Sequence, residues 1–134
     1  MIHLILFSLL ISVSSSQDFF KQQIFFINNL VEKDGEYVRP FSNEPVIGDI
    51  YQYFIINSKK SDKIFVGMVT KKGKQGYWTR YWNNGKKKNE GYFVDSKKEG
   101  LWLEWMEDGR LYTESFYDGD VLKHLTNCII ENCN

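Results

Sequence analysis

A 24-residue internal repeat is the feature that most constrains how this chain can fold. When the C-terminal half is shifted by 24 positions, residues of matching character coincide: Gly76 with Gly100, Trp78 with Trp102, Tyr81 with Trp105, Asn84-Gly85-Lys86 with Asp108-Gly109-Arg110, Glu90 with Glu114, Tyr92 with Phe116, and Phe93 with Tyr117. Tandem units of this length usually stack, each supplying one small supersecondary structure. The sequence therefore predicts a repeat domain over residues 50–126, with units at about 53–76, 77–100 and 101–124.

The first of these units is the least regular. Phe54 stands where the later units have tryptophan, and Ser61 stands where they have the turn glycine. An end unit of a stack meets a neighbour on one side only, so we expect this unit to cap the repeats.

Each unit is predicted to be a β-hairpin, because two short apolar segments flank Asn84-Gly85 or Asp108-Gly109. These dipeptides favour type I′ turns, in which both central residues have positive φ. The predicted strands cover residues 77–82 with 89–94, 101–106 with 111–117, and 50–56 with 63–70. The expected fold class is mainly β, an antiparallel meander of stacked β-hairpin repeats.

The first sixteen residues have the composition of a targeting segment. They contain no Lys, Arg, Asp or Glu, and an apolar run over residues 2–13 is followed by three serines. A short apolar run ending in small residues is typical of a signal peptide, here cleaved before Gln17, whereas a membrane span needs about 20 apolar residues. We expect an exported protein. A buried N-terminal strand or helix is the alternative interpretation.

Residues 17–49 form a segment between the leader and the repeats. Four apolar side chains recur at the spacing of one helical stripe: Phe20, Ile24, Ile27 and Val31. They predict a helix over residues 18–33, capped by Asp18. The isoleucine and phenylalanine content leaves a strand as the alternative. Prolines and turn glycines mark residues 34–49 as loop with short extended pieces.

The repeat has a recognisable consensus, Gly-x-Trp-x-x-Tyr/Trp-x-x-Asn/Asp-Gly-Lys/Arg-x-x-x-Glu-x-Tyr/Phe, over about residues 64–119. This pattern resembles the bacterial variant of the MORN repeat. The resemblance implies a curved single-layer antiparallel sheet. Many bacterial proteins with such repeats are labelled antitoxins, and eukaryotic relatives are linked to membranes, phosphoinositides or scaffolding. The defining residues are turn glycines and packing aromatics, so the resemblance implies a fold more strongly than a function.

Charge is distributed unevenly although the chain is formally neutral. Residues 59–98 hold twelve Lys and Arg against three acidic residues, while residues 99–134 hold two against eight. The lysines fall in turns at both ends of the predicted meander: Lys59-Lys60 and Lys86-Lys87-Lys88 at one end, Lys71-Lys72-Lys74 and Lys97-Lys98 at the other. They either steer an anionic partner or keep the sheet edges soluble.

The candidate binding residues combine the repeat-matched aromatics with one lysine turn: Trp78, Tyr81, Trp102, Trp105, Lys86, Lys87 and Lys88. Trp78 and Tyr81 are three positions apart, so an unbulged strand places them on opposite faces. The expected partner is another protein, with an anionic lipid or a glycan as alternatives. Export and the acidic residues of the third unit disfavour nucleic acid.

Enzyme signatures are scarce, and no cofactor or metal is expected. Phosphate-binding loops, HExxH and EF-hand spacings are absent, and only His3 and His124 are present. Glu90 and Glu114 have the residue type of a glycosidase pair, but repetition explains them more simply as sheet-surface residues. In the tail, residues 127–134, Cys128 and Cys133 favour a disulfide in an exported protein. Zinc binding with His124 is the alternative.

The sequence thus predicts a non-enzymatic exported repeat module that mediates protein or surface binding, or scaffolding. Three other functions stay open. One is glycan binding by exposed aromatic rings, and another is a carbohydrate-active enzyme using Glu90 or Glu114. The last is an intracellular antitoxin or immunity-like protein, if the leader is retained.

Overall fold

The computed structural model describes residues 22–131 and 133, and β-strands predominate in this part of the chain. The signal peptide predicted for residues 1–16 lies outside the described residues, as do the first positions of the predicted helix. Within residues 22–131 no helix is long and apolar enough to cross a membrane.

The strands of the described residues are short in the first half of the chain and long in the second. In chain order they are β1 (Ile24–Phe26), β2 (Val31–Lys33), β3 (Glu36–Val38), β4 (Gly48–Gln52), β5 (Ile55–Ile56), β6 (Lys59–Lys60), β7 (Ile64–Thr70), β8 (Gly73–Tyr81), β9 (Lys87–Val94), β10 (Lys97–Trp105), β11 (Leu111–Asp118) and β12 (Val121–Asn127).

Eight of these strands form one sheet, in the order β1, β4, β7, β8, β9, β10, β11, β12. From β7 onwards each strand pairs with the next strand in sequence, and every neighbouring pair is antiparallel except β1 with β4. The hairpins β2–β3 and β5–β6 are two separate two-stranded sheets that do not pair with it. The predicted fold class, a mainly β antiparallel meander, is confirmed.

The helix predicted over residues 18–33 is not formed in the described part of that segment. A single 3₁₀ turn, Ile27–Asn29, separates β1 from β2. β1 pairs with β4 in parallel, with Ile24 opposite Asp49. The β-branched and aromatic side chains of this segment suit a pleated strand, and pairing lets β1 extend the sheet beyond β4.

The turns that were predicted to be type I′ have a different conformation in the structure. At the predicted type I′ turn, the N–H of Gly85 donates to the carbonyl of Trp82 (2.9 Å), and Gly85 has positive φ whereas Asn84 does not. This is a type I turn followed by a left-handed glycine, a longer hairpin loop. Positive φ at both central residues occurs instead in the β9–β10 link, at Asp95 (49°) and Ser96 (64°).

Packing of tryptophan over glycine organises the sheet. A Cβ on Gly67 of β7 would overlap the indole ring of Trp78, and a Cβ on Gly91 of β9 would overlap that of Trp102 in the same way. Each ring therefore lies flat over the strand that precedes its own. At the third equivalent position the chain has Ser115, which lies directly opposite Trp102.

The indole rings divide the sheet into two unlike faces. Trp78 and Trp102 are 2% and 4% exposed and lie on what we term the covered face. The opposite side, the open face, carries four large apolar residues that are 40–74% exposed: Tyr77, Tyr92, Leu101 and Phe116. Both faces therefore contain aromatic residues, but one set is buried and the other meets solvent.

The β2–β3 hairpin covers the second unit. Tyr37 stacks on Trp78, with ring centroids 5.8 Å apart and planes 9° apart. Nζ of Lys74 lies 4.8 Å from the Tyr37 ring centroid and 2.7 Å from a carboxylate oxygen of Glu32. Arg80 donates to the Tyr37 hydroxyl (2.7 Å). The lysine is buried, so its charge is stabilised by this carboxylate and by the surrounding rings.

Replacing Gly91 by alanine is expected to lower the free energy of unfolding by about 1–3 kcal/mol, because the added methyl group overlaps the Trp102 ring. Urea unfolding followed by tryptophan fluorescence measures the change. Ser115→Ala is the control, since that position already accommodates a Cβ. A Gly91→Ala protein as stable as wild type would show that the indole is not held against β9.

The Glu32 carboxyl makes stability pH-dependent. Its partial burial acts to raise its pKa, but the hydrogen bond and charge of Lys74 and the charge of Arg80 outweigh that effect, and the pKa is lowered. A carboxyl of this kind stabilises the fold above its unfolded-state pKa of about 4.3, and the contribution is lost as pH falls through the folded-state pKa.

Glu32→Gln is therefore expected to lower the melting temperature near neutral pH and to reduce its fall on acidification below about pH 4.3. Thermal unfolding followed by circular dichroism across that range measures both effects. Glu36→Gln, at an exposed position of the same hairpin, is the control. Identical pH profiles for the wild type and Glu32→Gln would contradict the assignment.

Candidate functional site: a basic edge lined by aromatic rings

Alternation of strand direction brings several lysines to one edge of the sheet. β4, β8 and β10 end at this edge, and β7, β9 and β11 begin there; the side-chain amide of Gln52 donates to the carbonyl of Tyr81 across it (3.3 Å). We term this region the basic edge and define it by five exposed lysines, Lys60, Lys63, Lys86, Lys87 and Lys88.

In the first unit, lysines of the basic edge lie over aromatic rings. Nζ of Lys60 lies 3.9 Å from the ring centroid of Tyr53, and Nζ of Lys63 lies 4.6 Å from that of Tyr51. A ring face attracts a cation through its quadrupole, while the aliphatic stem of the lysine packs on the same ring. The ammonium groups are thus held in place but remain open to solvent.

The second and third units repeat this arrangement with tryptophan. Nζ of Lys88 lies 4.5 Å from the Trp82 ring and Nζ of Lys87 lies 5.4 Å from the Trp105 ring. Lys87 also pairs with Glu90 at 2.6 Å. For Lys60, Lys63 and Lys88, no carboxylate of the described residues lies within ion-pair distance. These three charges are therefore available to an external anion.

Hydrogen bonds join the turns of the second and third units at this edge. Nε1 of Trp82 donates to the carbonyl of Trp105 (3.1 Å), Nδ2 of Asn84 donates to that of Glu107 (2.8 Å), and Nζ of Lys86 donates to that of Asp108 (2.7 Å). The basic edge is thus one continuous surface across two repeats.

Acidic groups are present at the basic edge as well. Backbone and side-chain hydrogen bonds from Arg110 lower the pKa of Asp108, which stays ionised and lies in the turn beside Lys86. At the opposite edge Lys72 pairs with Asp95 (3.8 Å) and Lys123 with Asp118 (3.4 Å), while Nζ of Lys98 lies 4.7 Å from the Trp102 ring centroid without an ion-pair partner among the described residues. The sequence predicted basic rims at both edges; in the structure the basic edge has the larger set of exposed lysines over aromatic rings.

The predicted binding residues separate into two groups. Tyr81, Trp105, Lys86, Lys87 and Lys88 all lie at the basic edge, with Tyr81 and Trp105 partly buried. Trp78 and Trp102 lie within the sheet instead, and their burial excludes direct stacking on a partner. Trp78 and Trp102 were predicted as binding residues because they recur at the 24-residue interval, but residues that pack between strands recur at that interval as well.

Sequence reasoning missed Trp82, Lys60 and Lys63 as members of this surface. Trp82 has no aromatic counterpart 24 positions later, where Met106 stands, so the repeat gave no signal for it. Lys60 and Lys63 belong to the irregular first unit. A tryptophan directly before the Asn-Asn-Gly turn and its three lysines was the available clue, because turn residues at a sheet edge are exposed.

Other candidate chemistry lies away from the basic edge. Cys128 and Cys133 are joined by a disulfide, and the carboxylate of Glu114 lies close to both sulfurs. A disulfide supplies no thiolate for zinc. His124 contacts Thr126 on β12. Glu90 and Glu114 lie on β9 and β11, both opposite Leu103 of the intervening strand.

Comparison with known proteins adds no assignment. No model of a protein family matches this chain, and no curated protein or solved structure matches it. The interpretation of the basic edge rests on its residues and their geometry.

Trp82→Phe is expected to lower the free energy of unfolding by about 1 kcal/mol, because it keeps an apolar ring under Lys88 but removes the hydrogen bond to Trp105. Denaturant unfolding measures the change. Trp105→Phe is the matched control, since its carbonyl acceptor is retained. Equal losses in the two variants would show that the indole hydrogen bond does not stabilise the edge.

Proposed function

We propose that this chain is a non-enzymatic, exported repeat module of the MORN type that binds another protein carrying an acidic surface. The observation that carries the proposal is the basic edge, where Lys60, Lys63 and Lys88 lie over aromatic rings without a carboxylate partner among the described residues. Such an arrangement combines exposed positive charge with apolar contact area.

The geometry suits protein binding for two physical reasons. Complementary charge accelerates encounter with an acidic partner and disfavours basic ones. Tryptophan and tyrosine are the residues that most often dominate binding energy once water is excluded. At the basic edge Trp82 and Trp105 lie next to the lysines that would steer the partner, so steering and contact occur at the same place.

The residue types at this edge support binding over catalysis. No histidine or cysteine occurs among residues 51–65 or 81–88, so the common pairing of a nucleophile with a base is not available there. The five lysines of the basic edge are exposed to solvent, so water is not excluded around them as it is in most catalytic sites.

Two charge-reversal variants test the binding surface. Lys86→Glu with Lys88→Glu changes the basic edge, and Lys71→Glu with Lys72→Glu makes the same change of net charge at exposed positions on the opposite edge. Partners cross-linked to the mature protein from its native host are identified by mass spectrometry, and their affinities for each variant are then measured.

The basic-edge variant is expected to bind the partner about tenfold or more weakly, a loss of about 1.4 kcal/mol, while the control variant binds nearly as the wild type does. Affinity of the wild type is expected to fall with added salt. Equal affinity of the two variants would refute the basic edge as the binding surface. A partner bound equally at low and high salt would refute the charge argument.

The export element of the proposal rests on the uncharged apolar leader at residues 1–16. Mass spectrometry of the protein from its native host is expected to find a mature N-terminus at Gln17. Recovery of Met1 on the mature chain would favour the intracellular antitoxin-like alternative.

A further inference from the structure

The open face carries a row of exposed apolar side chains that the basic edge does not use. Tyr77 lies directly opposite Tyr92, and Leu101 lies directly opposite Phe116. These pairs occupy equivalent positions in the second and third units. Tyr77 is 74% exposed, and its ring meets Tyr92 edge to face with centroids 5.1 Å apart. All four side chains are at least 40% exposed.

A row that contains two carboxylates runs beside the apolar row. In it Thr79 lies opposite Glu90, and Leu103 lies between Glu90 and Glu114. Each glutamate stands two residues from an aromatic on its own strand, Glu90 before Tyr92 and Glu114 before Phe116, and therefore on the same face. The second and third units thus each present a ring and a carboxylate roughly 7 Å apart along the strand, whereas the first unit has Met68 and Val66 at the equivalent positions.

The spacing between units is set by the sheet. Tyr92 and Phe116 lie on β9 and β11, with β10 between them, so they are separated by two strand spacings, or roughly 10 Å. Glu90 and Glu114 have the same separation. The open face therefore presents one chemical pattern twice across the strands. A ligand that matches both copies has two like units at a similar spacing, as an oligomer does.

We propose that the open face binds an extended, uncharged β-linked oligosaccharide that runs across the strands, with one disaccharide on the second repeat unit and one on the third. The length of one disaccharide in an extended β-1,4-linked glycan is close to the spacing between the second and third units. The C–H faces of its sugars pack on Tyr92 and Phe116, and its hydroxyl groups donate to Glu90 and Glu114, since carboxylates are strong acceptors.

Charge and twist narrow the ligand class. Glu90 is paired with Lys87 (2.6 Å), but Glu114 has no ion-pair partner among the described residues, so its carboxylate repels anionic polysaccharides and the glycan is neutral. A sheet of this kind twists by roughly 20–25° per strand, so successive units are rotated by about twice that amount. A soluble chain can follow this rotation, whereas the flat surface of a crystalline polysaccharide cannot. The ligand is therefore a free oligosaccharide or a single chain end.

The proposal does not rest on the proposed function: Lys87 of the basic edge pairs with Glu90 of the open face, but the variants that test the two surfaces change different residues. Titration calorimetry of the mature protein with cellohexaose and with chitohexaose tests it, and maltohexaose, whose α-linkages prevent an extended chain, is the control ligand. The variants are Tyr92→Ala, Phe116→Ala and the two combined. Phe41→Ala removes a fully exposed aromatic ring in a loop and is the control variant.

At least one β-linked hexasaccharide is expected to bind, with the corresponding disaccharide binding more weakly because it occupies one unit only. Each single variant should weaken hexasaccharide binding about tenfold, equivalent to about 1.4 kcal/mol, and Phe41→Ala should leave it unchanged. Unchanged thermal unfolding of each variant shows that the sheet is intact.

Several outcomes would overturn the proposal. They are failure of both β-linked hexasaccharides to bind, equal binding of maltohexaose, and full binding by the folded Tyr92→Ala/Phe116→Ala variant. A protein partner whose binding is lost in that variant, together with no hexasaccharide binding, would assign the open face to protein recognition instead.

Discussion

The structure depends on the contact between a tryptophan ring and a glycine of the preceding strand. Trp78 over Gly67 and Trp102 over Gly91 bring backbone and indole together more closely than any side chain would allow. No second large sheet packs on this one among the described residues, so wide rings laid over bare backbone, together with the small β2–β3 hairpin, supply the burial that a sandwich obtains from its partner sheet. The repeat therefore couples two residues that are eleven positions apart, and each pair joins neighbouring strands.

This contact also decides the character of the two faces. Once Trp78 and Trp102 occupy the covered face, the pleat directs their neighbours Tyr77 and Leu101 to the other side. The β2–β3 hairpin packs on the second unit because Tyr37 stacks on the Trp78 ring and Glu32 forms an ion pair with the buried Lys74. The open face is then free to present its regular rows, while the lysines of the turns are left at the edge.

The basic edge and the open face are the two surfaces of this packing repeat that we propose for binding. Both consist of side chains that reach solvent, the exposed lysines with Trp82 at the edge and the exposed rings on the open face, and Trp82 also joins two units through its hydrogen bond to Trp105. The edge differs from unit to unit, since Met106 replaces Trp82 in the third, which suits recognition of one shaped partner. The open face is nearly the same in the second and third units, which suits a ligand made of repeated parts. Variation and regularity thus point to different classes of partner.

The sequence by itself determined the meander, because apolar segments and turn signals that recur every 24 residues leave few other ways to bury apolar surface. The strands of the repeats could be predicted from the apolar segments on either side of each turn dipeptide. It could not show that Trp78 and Trp102 are buried, because their burial depends on Gly67 and Gly91 of the neighbouring strands. Nor could it show that Ile24, which was predicted to lie in a helix, belongs to a strand, because that strand forms by pairing with the segment around Asp49. Tertiary structure alone decided which aromatics face solvent and which lysines lack a carboxylate, since burial and ion pairing are properties of neighbours that only folding brings together.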